Sequence, residues 1–181
     1  MAFTLTAKRL RIRQFQDSDL EPFFEYRNDP DVARYQGWDL PYPLENAVEF
    51  VAEMKAKDPQ VQDEWLQVAI EEISTGQMVG DVAFFLKKDD PQAYIGCTIA
   101  RPHWRKGYGM EATCHLLDYL FSELDLHRVI AITDVENIAS FGMLERIGFR
   151  REAHFVENLI FKGHWASEYH YAMLKHEWEK L

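Results

Sequence analysis

Residues 94–133 read YIGCTIARPHWRKGYGMEATCHLLDYLFSELDLHRVIAIT, and the stretch divides into three. Its first residues, through Ala100, are apolar and predict a strand. From Gly109 on, Met110, Thr113, Leu117, Leu120 and Leu124 recur at helical spacing and predict a helix ending at Leu124. HRVIAIT, residues 127–133, runs on β-branched residues and predicts a short buried strand. A strand, a helix and a second strand in that order make a parallel crossover, which is right-handed.

Upstream, KRLRIRQF sets Leu10, Ile12 and Phe15 against Arg9, Arg11 and Arg13, the alternation of a first strand. Ser18 with Glu21 has the spacing of a capping box for a helix over LEPFFEYRND, with Pro22 in its first turn. A second helix is expected from about Pro43 to Lys57, with Leu44, Val48, Val51 and Met54 on one face. EWLQVAIEEI, through Trp65, Val68 and Ile70, and MVGDVAFFL then form a hairpin around STGQ. Downstream, NIASFGMLERIG is a helix stopped by Gly148, and two closing strands cover roughly Phe149–Phe161 and Trp165–Leu174. The sum is one mixed α/β domain over residues 1–181. Its sheet has about seven mostly antiparallel strands and about four flanking helices.

Composition narrows the function. With 20 basic against 30 acidic residues, the net charge of −10 argues against a nucleic-acid binder, which must neutralise phosphates. It suits cationic partners only weakly, because net charge shapes encounter and not chemistry. No apolar run has the length of a membrane span. The segment MAFTLTAKRLRIRQF lacks the apolar core and cleavage site of a secretion signal. Cys97 and Cys114 are the only cysteines. Neither lies in a CxxC pair or near a histidine at metal-ligand spacing, so reduced thiols in a cytoplasmic protein are expected, with no metal.

RKGYG, residues 105–109, carries the chemistry. It lies between a predicted strand and a helix, whose first N–H groups are unpaired and carry partial positive charge. Gly107 and Gly109 let backbone approach an anion, and Arg105 and Lys106 add charge beside it. An anion cradle, above all for a diphosphate, fits these residues; a solvated glycine turn also fits. Neither GxxxxGK[ST] nor GxGxxG is present.

IGCTIARPHWRKGYGMEATCHLLDYLF followed by HRVIAITDVENIASFGMLERIGFRREA resembles the two core motifs of the GNAT acyltransferase superfamily. In that family the loop [QR]-x-x-G-x-[GA] binds the pyrophosphate of acetyl-coenzyme A. Gly107 and Gly109 match its glycines, whereas Trp104 stands at the first position. That departure resembles the RimJ/RimL-like branch of ribosomal-protein N-terminal acetyltransferases. Asn137, Ser140, Phe141 and the run Leu144–Phe149 match the second motif.

The resemblance implies a GNAT-like sheet with a splayed parallel pair, and direct transfer of acetyl from acetyl-coenzyme A to an amine. The acceptor is a protein N-terminus or a small-molecule amine. A non-catalytic acyl-coenzyme A sensor of the same fold is the alternative. The pantetheine arm would lie along Cys97, Thr98 and Ile99, and the diphosphate on Arg105, Lys106, Gly107, Tyr108, Gly109 and Met110. Asn137 would contact the arm, although an N-cap role also fits it. Ser140 would protonate the leaving thiolate. Asp81, out of pattern in VGDVAF, is the first candidate for the general base, with Glu71, Glu72, Glu157 and Glu168 as other strand carboxylates; an edge or solvated carboxylate also fits each of them. Tyr35, Trp38 and Tyr42 would either box a cationic amine or simply pack. Members of the family often dimerise.

Overall fold

The computed structural model describes residues 3–181. The strands are β1 (Thr4–Thr6), β2 (Leu10–Arg13), β3 (Trp65–Glu72), β4 (Gln77–Leu86), β5 (Gln92–Ile99), β6 (Arg128–Asp134), β7 (Arg150–Phe161) and β8 (His164–Leu174). The helices are α1 (Leu20–Arg27), α2 (Pro30–Ala33), α3 (Leu44–Ala56), α4 (Tyr108–Asp118), α5 (Ile138–Ile147) and α6 (Lys175–Trp178). One eight-stranded sheet runs β1-β2-β3-β4-β5-β6-β8-β7. Every neighbouring pair is antiparallel except β5 with β6. The crossover through α4 is therefore the parallel unit that residues 94–133 predict. The eighth strand is β1, three residues that pair only with β2 and carry too short a pattern to read.

The middle of the sheet, at β4 and β5, is covered on both faces. Asp81 of β4 meets Tyr26 of α1, which places α1 on one face. Cys97 and Ile99 of β5 approach Gly109, which places α4 on the other. Leu66, Val68, Ile70, Val82 and Phe84 from the sheet join Phe23 of α1 and Leu116, Leu117 and Leu120 of the α4 layer in one buried core.

Three local expectations change. The box before α1 uses Asp19, not Ser18 and Glu21: its carboxylate accepts the Gln16 N–H at 2.7 Å. The same carboxylate takes two hydrogen bonds from the buried Arg13, at 2.7 and 2.9 Å, so an ion pair outcompetes the serine as the organiser of this turn. In α3, Ala47, Val51 and Met54 are buried, whereas Leu44 and Val48 are 49% and 47% exposed. Phe50 stacks on Phe23 at 4.9 Å and rotates the buried stripe toward the small Ala47. The helix expected to run to Leu124 is α-helical to Asp118 and widens into a π turn over Tyr119–Glu123. Gly148 ends α5 as expected, in the left-handed conformation at φ 107°.

Candidate active site

The site begins where the parallel pair stops pairing. Residues 92–95 of β5 are in register with 128–131 of β6, and no pairing continues beyond Ile95 and Ala131. The remainder of β6 stays with β8, through Asp134 opposite Glu168. The remainder of β5 stays with β4, through Ile99 opposite Gly80. The two strands thus part like a V, and Gly96 is exposed in the middle of a central strand.

Strand alternation assigns the free groups. The Ala100 N–H donates to Val79 O at 2.9 Å, so even-numbered residues here turn their peptide groups toward β4. Cys97 and Ile99 turn theirs into the gap. Thr98, expected among the gap contacts, is opposite Asp81 and directs its peptide groups at β4. The Ile99 carbonyl accepts the Trp104 indole N–H at 2.6 Å. Trp104 thereby ties the loop to the end of β5. Backbone donors and acceptors facing a gap in a sheet can pair with an inserted extended chain.

The loop after β5 turns twice through left-handed backbone. Arg105 has φ 61°, and Gly107, the N-cap of α4, has φ 79°. A side chain is costly in that region, which explains Gly107 and makes Arg105 a strained residue. Gly109 answers a different need. A Cβ there would sit 3.2 Å from Met143 Sδ and 3.5 Å from Ile99 Cγ1, so its absence lets α4 lie close to β5 and α5. Tyr108 is buried and its hydroxyl bonds Glu72, while Met110 packs on the core. Neither Arg105 nor Lys106 has a carboxylate partner among the described residues; Lys106 Nζ lies 3.4 Å from His103 Nδ1. The loop is a cationic opening onto unpaired helix N–H groups.

Across the gap, Asn137 caps α5: its side chain accepts the Ser140 N–H at 3.2 Å. Ser140 Oγ is half-buried in the first turn of α5 without a partner among the described residues. Asp81 lies on the α1 face, 1% exposed, accepting from the Tyr26 hydroxyl and from Gln67 Nε2 at 2.8 Å. Burial pushes its carboxyl above the ordinary aspartate value, opposed by nearby Arg27 and by those two hydrogen bonds. Of the other carboxylates, Glu71 is tied to Arg11 and Arg13, and Glu72 to Tyr108. Glu157 and Glu168 lie on β7 and β8, where Glu168 accepts from Asn158.

The aromatic group holds a cation, but one from the chain itself. Arg27, 5% exposed, lies over Trp38 at 3.7 Å, Phe23 at 4.6 Å, Phe50 at 5.1 Å and Tyr42 at 5.5 Å. Tyr35 is outside this box and hydrogen-bonds Glu136 O. Trp38 and Tyr42 therefore pack the α1–α3 layer instead of receiving an amine. A cavity of about 530 Å³ opens beside it, lined by Glu21, Glu25, Tyr26 and Asp29 of the α1 region and by Arg101 and His103 after β5. Sequence reasoning missed Tyr26, Arg27, and the role of Trp104. Their partners lie far along the chain or depend on the fold, so no local pattern marks them.

A family profile described as the acetyltransferase (GNAT) domain matches residues 9–150. The uncharacterized N-acetyltransferase YnaD of Bacillus subtilis is 32% identical over 174 residues, 96% of this chain and 98% of that protein. The chain belongs to the GNAT acetyltransferase family. A GNAT-family acetyltransferase from Bacillus anthracis superposes with a TM-score of 0.86 at 30% identity, covering 96% and 99% of the two chains. Spermidine N-acetyltransferase from Vibrio cholerae, solved with CoA and spermine, shares the fold with a TM-score of 0.80 at 20% identity, over 94% and 98%. This GNAT chain is an N-acetyltransferase, and GNAT acetyltransferases use acetyl-coenzyme A.

Proposed function

We propose that this chain transfers acetyl directly from acetyl-coenzyme A to a primary amine, with the pantetheine arm lying in the gap between β5 and β6. The free edge of β5 carries this reading. Cys97 and the Ile99 N–H offer peptide groups that an amide-bearing arm can pair with, as an added strand would, while the Ile99 carbonyl stays with Trp104. The diphosphate then reaches the N–H groups from Arg105 to Met110. Asn137 stands across the gap, at the start of α5.

The amine nitrogen attacks the thioester carbonyl carbon; the C–N bond forms and the C–S bond breaks. A peptide N–H of β5 polarises the carbonyl oxygen. Ser140 Oγ, free of protein partners among the described residues, passes its proton to the leaving sulfur and takes one back from solvent, as the protonated Asp81 later returns its own to solvent. The amine proton passes to Asp81 through the hydroxyl of Tyr26, a residue of the wall of the cavity beside α1. An enzyme thiolate is not needed. Burial pushes the Cys97 thiol up to about 12, which suits packing and not nucleophilic attack.

The acceptor is a primary amine on a small cation or a protein N-terminus. Glu21 and Glu25 in the cavity wall favour the cation. The spermine held by the Vibrio structure supports the same choice, and the RimJ/RimL-like loop supports an N-terminus. The test is coenzyme A release, read with a thiol reagent, across polyamines, amino acids, aminoglycosides and N-terminal peptides. Release with one class supports the reading and names the acceptor. Acetyl-coenzyme A binding with no release from any class would favour the sensor alternative and contradict it.

A further inference from the structure

We propose that Arg9, from the turn between β1 and β2, is a binding residue for the diphosphate of coenzyme A. This rests on the acetyl-coenzyme A reading above. Arg9 is about a hundred residues from the glycine loop, yet every hydrogen bond of its side chain goes to that loop and the helix it opens. Its backbone N–H donates to Glu111 Oε1 at 2.7 Å, and its Nε to Glu111 Oε2 at 2.7 Å. Its Nη1 donates to Lys106 O at 3.0 Å, and its guanidinium lies 4.8 Å from the Tyr108 ring centroid. A long exposed side chain is thereby fixed in one rotamer.

What these contacts leave free decides the role. Nη2 has no acceptor among the described residues. It sits 3.5 Å from where a Cβ on Gly107 would be, at the left-handed residue where the unpaired N–H groups of α4 begin. Arg105 and Lys106, with no carboxylate partner among the described residues, flank the same point. Three cationic residues thus stand at one helix start in a chain of net charge −10. Glu111 has both oxygens engaged by Arg9 N and Nε, so the free guanidinium edge remains a donor. Such an edge takes non-bridging phosphate oxygens from the side while the helix N–H groups take them from below.

The rival role is a staple that only holds β1 and β2 to α4. Calorimetric titration with coenzyme A and with 3′-dephospho-coenzyme A separates the two. Arg9→Gln is expected to weaken both ligands by the same factor, roughly tenfold, and Arg9→Lys to recover part of the loss. Glu111→Gln removes a negative charge beside the phosphates and is expected to bind coenzyme A at least as tightly as the parent. A staple predicts that Glu111→Gln weakens binding as Arg9→Gln does, and that result would overturn the proposal. So would an Arg9→Gln protein that binds coenzyme A like the parent. A loss seen with coenzyme A but not with the dephospho form would move Arg9 to the 3′-phosphate and refute the diphosphate assignment. Failure of the parent to bind coenzyme A at all would strike the underlying reading instead, before any variant is compared.

Discussion

Asp81 is the residue whose surroundings speak most directly to pH. Its native carboxyl titrates above the ordinary aspartate value, chiefly because burial disfavours the charge. Between the ordinary and the raised value the native state holds more protons than the unfolded chain. Stability from this group is therefore present at low pH and lost as pH rises through that window. Asp81→Asn keeps an acceptor for Tyr26 and removes the charge. Its melting temperature relative to the parent should be higher at pH 8 than at pH 4, and a constant difference would contradict the burial argument. Cys97 makes the complementary case. With its thiol pushed up to about 12, Cys97→Ala should leave kcat within about threefold, and intact-mass measurement during turnover should show no acetyl-enzyme. An acetylated Cys97 would contradict direct transfer. Both residues stood out in the sequence, Asp81 as an acid in an apolar strand and Cys97 as a thiol in another. What the sequence could not supply was their partners: Tyr26 is 55 positions from Asp81 along the chain.

At the scale of elements, the opening of β5 from β6 depends on what holds each strand to its other neighbour. Glu152 of β7 bonds both Arg128 of β6 and Arg150, and the Arg128 hydrogen bond first of all lowers its carboxyl to about 2. A depressed carboxylate stabilises above its ordinary value, and that stability is lost as pH falls toward about 2. Glu152→Gln should cost about 1 kcal/mol at pH 7, after allowing for solvent screening, and much less near pH 2.5. Urea denaturation at the two pH values checks this, and an equal cost at both would be inconsistent with it. Gly109→Val tests the seat of α4. The added carbons press on Met143 and Ile99, so stability should fall by roughly 1–3 kcal/mol and coenzyme A affinity with it. Unchanged affinity by titration would detach Gly109 from the site. Elements with strong periodicity were legible: the hairpin of β3 and β4, the crossover helix, and α5 with its terminal Gly148. The buried stripe of α3 was less so, because the Phe50–Phe23 stack, not the apolar count, sets which side turns inward. Asp19 displaced the expected Ser18 cap because Arg13, six residues back at the end of β2, turns its guanidinium onto the Asp19 carboxylate, a contact that capping spacing does not show.

The whole molecule places a gap, faced by unpaired peptide groups of β5, between two parallel strands in the middle of one sheet. The order of strands and helices was enough to foresee the parallel pair, since a crossover helix must bridge two parallel strands; that the pair splays was implied only by the resemblance to the GNAT motifs. Glycine spacing marked the loop at one end of the gap. Two features needed the folded chain. Trp38 and Tyr42 surround Arg27, so an aromatic cluster that resembles an amine receptor is already filled. Arg9 meets Lys106 and Glu111 only once β1, β2 and α4 are packed together. The central claim is that coenzyme A occupies the gap as an added strand on β5. Residue-resolved amide hydrogen exchange, with and without coenzyme A, tests it most directly. The account predicts that the Cys97 and Ile99 amides exchange readily in the free protein and become protected by the ligand, while the Thr98 amide, directed at β4, is protected in both states. Binding that leaves Cys97 and Ile99 unchanged would contradict it.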